Sequence, residues 1–265
     1  MIRRANSARR SFFGVVVFAF LYAPLAMVVL QSFNASRHGV GWHGATGEWY
    51  RRLSDNDQIR DAAWNTLRLA VLSTVLSTGL GTSFALGWNR VRGRWGRVLT
   101  GLVQAPVYAP DIVMAAGFVA WFEWLRRWVP SLEGGLLTMV CAHVTVQTPF
   151  VAMVVRARLD GADPHLVEAA RDLGADTWQV FRHVTWPLML PGVVAGALLA
   201  FTLSLDDFIL SFFTSGPGST TLPMFIYASV KRGLTPEIHA LSTLMVLASG
   251  LSVWLLARRR SISDL

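Results

Sequence analysis

Arg156-Ala157-Arg158-Leu159-Asp160-Gly161-Ala162-Asp163-Pro164-His165-Leu166-Val167-Glu168-Ala169-Ala170-Arg171-Asp172-Leu173-Gly174-Ala175 separates two long apolar runs, Gly134–Val155 and Leu188–Phe213. Its local signals agree with one another. Asp163 is a suitable N-cap, Pro164 suits the first helical position, and Gly174 can supply a left-handed C-terminal turn. Between them Leu166, Val167, Ala170 and Leu173 recur at helical spacing, which predicts a helix of about ten residues, roughly 15 Å long. Asp176 can cap a second short helix through Val184, with Pro187 and Pro191 opening the next long one. The segment from about 157 to 187 is therefore expected to be a helical hairpin between two membrane-length runs. A helix this short buries little surface, so the low-profile Ala169, Ala170 and Gly174 predict a face against which another protein packs.

Outward from the hairpin, the same apolar length recurs. About 20 apolar residues cross a hydrocarbon core, and six segments meet that length: Phe12–Ser32, Asn65–Trp88, Val98–Leu125, Gly134–Val155, Leu188–Phe213 and His239–Ala257. The first is too long for a cleavable signal and lacks an A-x-A site after it, so it is read as a retained anchor despite the Arg9-Arg10 pair. Composition points the same way: 53% of the 265 residues are hydrophobic and only 15% charged, where a soluble domain carries about 25%. The expectation is an all-α, multi-pass membrane protein forming one domain over 1–265, with helix one (12–32) peripheral, a core over about 64–257 and no soluble domain.

Basic residues in short loops stay on the cytoplasmic side. Arg3, Arg4, Arg9, Arg10, Arg90, Arg92, Arg94, Arg97, Arg156, Arg158, Arg171, Arg182, Arg258, Arg259 and Arg260 make fifteen of the 24 basic residues, and all fall on the hairpin's side. Six transmembrane helices with cytoplasmic N- and C-termini follow. The net charge of +8 is explained by this topology; the arginines do not form a helical stripe, and no nucleic acid is expected. The opposite loop from Phe33 to Ala63 is long, and Trp42, Trp49 and Tyr50 predict packing on the membrane surface with a short interfacial helix.

The hairpin resembles the cytoplasmic motif of ABC importer permeases, E-A-A, three residues, G, nine residues, I-x-L-P. Here the positions read Glu168-Ala169-Ala170, Gly174, then Val184, Trp186 and Pro187, with Val for Ile and Trp for Leu. The resemblance implies a type I ABC importer permease (MetI-like) fold, in which Glu168, Ala169, Ala170, Arg171, Leu173 and Gly174 form a coupling helix docked on an ATPase subunit. It further implies a second homologous permease subunit, two ATPase subunits that bind ATP and Mg, and an external substrate-binding protein. Localisation in the bacterial inner membrane follows. No cofactor is expected on this chain and no catalysis: a Walker A loop needs G-K-[ST], and the only lysine, Lys231, sits in Val230-Lys231-Arg232-Gly233. Cys141 is the only cysteine, and the six histidines show no close ligand spacing, so no metal site is expected.

Ala109-Pro110-Asp111-Ile112-Val113-Met114, Ser204-Leu205-Asp206-Asp207-Phe208, Ser215-Gly216-Pro217-Gly218-Ser219-Thr220-Thr221-Leu222-Pro223 and Pro236-Glu237-Ile238-His239-Ala240-Leu241-Ser242-Thr243 are similar to the second permease subunit of spermidine/putrescine importers. Ionisable residues inside membrane segments are costly and usually face a cavity or a partner. Counting along straight helices places Asp111 near mid-membrane, Asp206 and Asp207 farther out and Glu123 at the external interface. Carboxylates so arranged suit a multiply charged amine. Each has a competing reading: Glu123 can pair with Arg126, Asp111 can satisfy backbone groups freed at Pro106 and Pro110, and adjacent Asp206 and Asp207 cannot point the same way. Trp121, Trp124 and Trp128 are read as interfacial anchors and Gly216-Pro217-Gly218 as a tight turn that could meet the binding protein. The alternatives are an ABC permease for another small solute and an ion-coupled secondary transporter.

Overall fold

The computed structural model describes residues 2–36, 41–88, 91, 93–130, 132–163, 165–233 and 235–247, with side chains in the first helix from Phe13 onward. The chain is all-α. Its helices are α1 (Ile2–Gln31), α2 (Glu48–Asp55), α3 (Asp57–Trp88), α4 (Gly93–Tyr108), α5 (Asp111–Arg126), α6 (Leu136–Asp160), α7 (His165–Asp172), α8 (Thr177–Val180), α9 (Trp186–Asp206), α10 (Ile209–Thr214), α11 (Leu222–Arg232) and α12, described over 236–247. They group into two units, Met1–Arg60 with Phe225–Leu265, and Asp61–Met224.

Within the first unit, α1 exposes Phe13, Phe18, Phe20 and Leu30, and nothing in its apolar span is buried. The loop after it is tied inward. Trp49 on α2 is buried, and its indole N–H donates to the Asn34 carbonyl at 2.7 Å, while the Tyr50 and Ser32 hydroxyls lie 2.7 Å apart. The expected short helix is therefore α2, but Trp49 anchors the loop rather than a membrane surface; of the three aromatics only Trp42 is exposed. The sixth expected span, His239–Ala257, is helical as far as 247, and its remainder lies outside the described residues, as do Arg258, Arg259 and Arg260.

The second unit has the polarity of a membrane protein. On α3 the exposed positions are Leu67, Val71, Leu72, Val75, Leu76 and Leu80, whereas Thr66, Ser73, Ser77 and Thr82 are buried. The exposed residues recur every three to four positions, and Thr66, Ser73 and Ser77 share one face, so an apolar face points out and a small, polar one in, which is the arrangement lipid selects. Close approach follows from small residues: a Cβ added at Gly81 would lie 2.7 Å from the Val151 Cβ on α6. α6 is the most buried long helix and packs on α9 through Val151, Val155, Met189 and Ala200.

Three expectations are corrected here. The run Val98–Leu125 is two helices, α4 and α5, bent by 108°. Pro110 has no N–H to continue α4 and takes extended geometry (φ −60°, ψ 137°) before α5 restarts. Straight-line depth counting therefore fails for Asp111. The run Leu188–Phe213 is also broken: α9 ends at Asp206, Asp207 is extended (ψ 126°), and α10 restarts at Ile209. Finally, Pro187 does not open a separate helix. A wider, π-type turn over Phe181–Thr185 joins α8 to α9, giving a continuous span Thr177–Asp206. The amide of Trp186 reaches back to the Phe181 carbonyl, the longer step that accommodates a proline ring. Among the described residues four helices are long and apolar enough to cross a membrane, and five if α4 and α5 count as one broken span.

Candidate functional site

The two helix breaks face one another. A cavity of about 480 Å³ is lined by Asp111 at the start of α5, Asp206 and Asp207 at the end of α9, and His143 and Gln147 one turn apart on α6. Among the described residues no lysine or arginine lines it, and Phe150 and Phe208 supply aromatic wall. Asp111, Asp206 and Asp207 are thus brought together. Glu123 is not: it lies on α5 outside the cavity, exposed, in an ion pair with Arg126 at 2.9 Å. Trp121, Trp124 and Trp128 also stay outside it, exposed.

The adjacent aspartates do different things. Asp207 is drawn inward: its carboxylate accepts from the Leu210 and Ser211 amides at 3.2 and 2.8 Å and from the Ser211 hydroxyl at 2.9 Å. It caps α10, covering amide groups that the break would leave open. The His143 ring reaches the same carboxylate through Nε2 at 3.3 Å, and its Nδ1 lies 2.9 Å from the Ser204 hydroxyl. The Ser73 hydroxyl on α3 donates onward to Ser204 at 3.2 Å. Nε2 also lies 3.2 Å from the Ser211 hydroxyl, so Ser73, Ser204, His143, Ser211 and Asp207 form one continuous hydrogen-bonded chain. His143 is 1% exposed, so the imidazole is locked in place.

Asp206, one residue earlier on the end of α9, is exposed, and Asp111 occupies the first turn of α5. The aligned peptide dipoles of α5 favour negative charge at that position. Among the described residues neither side chain has an ion pair, and Asp111 makes no hydrogen bond to the backbone of the bend. The cavity therefore presents two carboxylates without an ion pair among the described residues beside a third held by histidine and serine. From sequence alone His143, Ser211 and Gln147 receive no site role, and Ser204 enters only as part of the stretch Ser204–Phe208. The one local hint was polarity at His143 and Gln147, one helical turn apart in an apolar run.

The hairpin is built differently. Asp163 accepts from the His165 amide at 2.9 Å to start α7, and the chain leaves it through Gly174 at φ +85°, with the Ala175 amide closing on the Ala170 carbonyl at 3.0 Å. Asp176 and Gln179 then form a reciprocal capping box at the start of α8. No residue of α7 is buried, Glu168, Ala169 and Arg171 are exposed, and Leu173 is 89% exposed. Trp186 packs its ring on Phe181, which in turn stacks on Trp178, so an aromatic column stiffens the hairpin's base.

A broken-helix membrane fold with an acidic cavity and a projecting amphipathic hairpin defines a transport subunit, and the chain belongs to the binding-protein-dependent transport system inner membrane components, whose family model matches residues 77–258. It is a multi-pass inner-membrane protein. The spermidine/putrescine transport system permease protein PotC of Haemophilus influenzae is 39% identical over 240 residues, 91% of each chain. The putrescine transport system permease protein PotI of Escherichia coli is 40% identical over 238 residues, covering 88% of this chain and 84% of that one. Among solved structures, a bacterial ABC transporter involved in import of the acidic polysaccharide alginate superposes with a TM-score of 0.75 at 19% identity, over 98% of this chain and 96% of that one. The MetNI methionine ABC transporter does so at 0.63 and 18% identity, over 83% and 99%.

Proposed function

We propose that this chain is one of two similar permease subunits that enclose the pathway of an ATP-driven importer for a polyamine. In this reading six helices cross the bacterial inner membrane with both termini in the cytoplasm. An external binding protein delivers the solute, and two separate ATPase subunits, which hold ATP and Mg²⁺, supply the work. The hairpin Glu168–Gly174 receives that work and passes it through the aromatic base into α9, whose far end carries Asp206 and Asp207. This chain forms and breaks no covalent bond.

The observation that carries the substrate class is the set of three carboxylates around a cavity that no described lysine or arginine lines. In surroundings of low polarity, unpaired carboxylates attract a cation more strongly than in water. The aromatic rings of Phe150 and Phe208 add faces on which an ammonium group is favoured. The names of the relatives, which specify spermidine and putrescine, agree with this chemistry, and the alginate-transporter complex with its periplasmic protein supports an external receptor as partner.

The test is uptake by the assembled importer in proteoliposomes, comparing spermidine, putrescine, amino acids and sugars. Amine uptake that requires ATP is expected. Replacing Asp206 or Asp111 with Asn is expected to weaken amine transport about tenfold each, since a hydrogen bond to a charged group contributes about 1.5–3 kcal/mol. Uptake of only uncharged solutes would overturn the substrate class, and uptake driven by an ion gradient without ATPase subunits would overturn the importer reading.

A further inference from the structure

Among the described residues, five polar side chains line the acidic cavity: Asp111, His143, Gln147, Asp206 and Asp207. Two of them are committed to each other and to their neighbours. Both ring nitrogens of His143 are engaged, Nδ1 with Ser204 and Nε2 with Ser211 and Asp207, and the Asp207 carboxylate already accepts from two amides and a hydroxyl. Asp111 and Asp206 are the carboxylates left for the solute's charge. Gln147 has no task in that arrangement.

Gln147 is 2% exposed, on the part of α6 between α3 and the cavity. Burying an amide costs free energy unless its hydrogen bonds are made, and one end of this amide has none. The Ser77 hydroxyl on α3 lies 3.3 Å from Oε1. Nε2 makes no hydrogen bond to a described residue, yet it is not sealed in protein as the hydroxyls of Thr74, Thr78 and Thr82 are; it opens on the cavity. A side chain almost wholly buried, tethered at one end and unpaired at the other, is built to meet a group that arrives through the cavity.

The tether decides which end meets it. Ser77 also lies 3.2 Å from the Thr74 carbonyl, and one hydroxyl proton cannot serve two acceptors. A half-turn of the amide exchanges its oxygen and nitrogen and leaves every other atom in place. Nε2–H then donates to the Ser77 oxygen, Ser77 donates to Thr74, and Oε1 faces the cavity as an acceptor. Ammonium groups carry only donors, so an acceptor is what an amine requires there.

We infer that Gln147 is a specificity-determining residue: its amide oxygen accepts an N–H from a third nitrogen of the solute, so this cavity favours a triamine over a diamine. The inference rests on the polyamine reading proposed above. Asp111 and Asp206 match two ammonium groups, which completes a diamine. A triamine has one more charged nitrogen to place, and among the described lining side chains the acceptor left for it is Gln147. A neutral oxygen takes that nitrogen without setting a fourth carboxylate beside three others, where like charges would disfavour ionisation.

The test is ATP-dependent uptake of spermidine and putrescine by the assembled importer in proteoliposomes, read as the ratio of kcat/KM for the two amines. The external receptor and the partner permease are the same in every sample, so their own preferences cancel between variants. Gln147→Leu keeps the bulk and removes the oxygen; it should lower the spermidine-to-putrescine ratio about tenfold, the size of one hydrogen bond to a charged group, with putrescine uptake within about twofold. Gln147→Glu keeps an oxygen toward the cavity and should hold the ratio within about twofold of the wild type. Ser77→Ala releases the amide from its tether and should lower the ratio a few-fold; if the leucine variant fails to fold, this variant decides, and an unchanged ratio in it would overturn the role. An equal fall for both amines in Gln147→Leu, or a ratio in Gln147→Glu as low as in Gln147→Leu, would overturn it while amine transport stands. Absence of ATP-dependent uptake of either amine by the wild-type importer would overturn the polyamine reading and this inference together.

Discussion

The interior around Asp207 and the hairpin around Gly174 are opposite solutions to one problem, how to place groups that a membrane protein would ordinarily avoid. Inside, the α9 break is held by one continuous chain of hydrogen-bonded groups, from Ser73 through Ser204 and His143 to Asp207. In the hairpin, apolar Leu173 and Leu166 stand exposed with nothing over them. A satisfied buried network fixes one geometry, whereas an unpartnered apolar face on an otherwise well-capped helix gains only when something docks on it. Under the proposed function, the first region holds shape and the second transmits force.

Substitutions should respect that division. His143→Ala removes the central member of the network and leaves Asp207 and Ser204 short of partners; a loss of about 3 kcal/mol is expected, read as a lowered thermal midpoint of the purified protein together with lost uptake. Gly174→Val places a β-branched residue at φ +85°, which costs about 1–2 kcal/mol locally. Uptake and permease-stimulated ATPase activity should fall roughly tenfold while the thermal midpoint and membrane insertion hold, and a midpoint that drops as far as in His143→Ala would merge the two regions into one. Leu173→Ser should lower ATPase stimulation by a few-fold, a fraction of the about 1.5–3 kcal/mol that full burial of one leucine contributes. The smallest effect belongs to Glu123→Gln: an exposed pair with Arg126 contributes about 0–1 kcal/mol, so uptake should stay within about twofold, and a large loss would return Glu123 to the solute's path.

The hairpin was largely legible because its signals are local. Asp163, Asp176 and Gly174 do in the structure what their residue types suggest, and Glu123 pairs with Arg126 as its spacing allows. The apolar runs gave the long helices, but not their continuity. Pro110 announced a break and not its size, since a missing N–H says nothing about the 108° that follows. At Asp207 no glycine or proline marks the end of α9; the helix stops there because the carboxylate finds the Leu210 and Ser211 amides and the His143 ring, partners visible only once α6 is beside it. The same reason hid His143, whose neighbours in sequence are apolar while its hydrogen-bond partners lie 61 and 68 residues away.

The most direct measurement is thiol labelling at the hairpin. In a Cys141→Ala background, Leu173→Cys should react rapidly in the permease alone and become protected when the ATPase subunits are bound, with a short cross-linker joining the two chains. Equal labelling with and without the ATPase, and no cross-link, would contradict the claim that this hairpin is where the work of ATP enters the membrane helices.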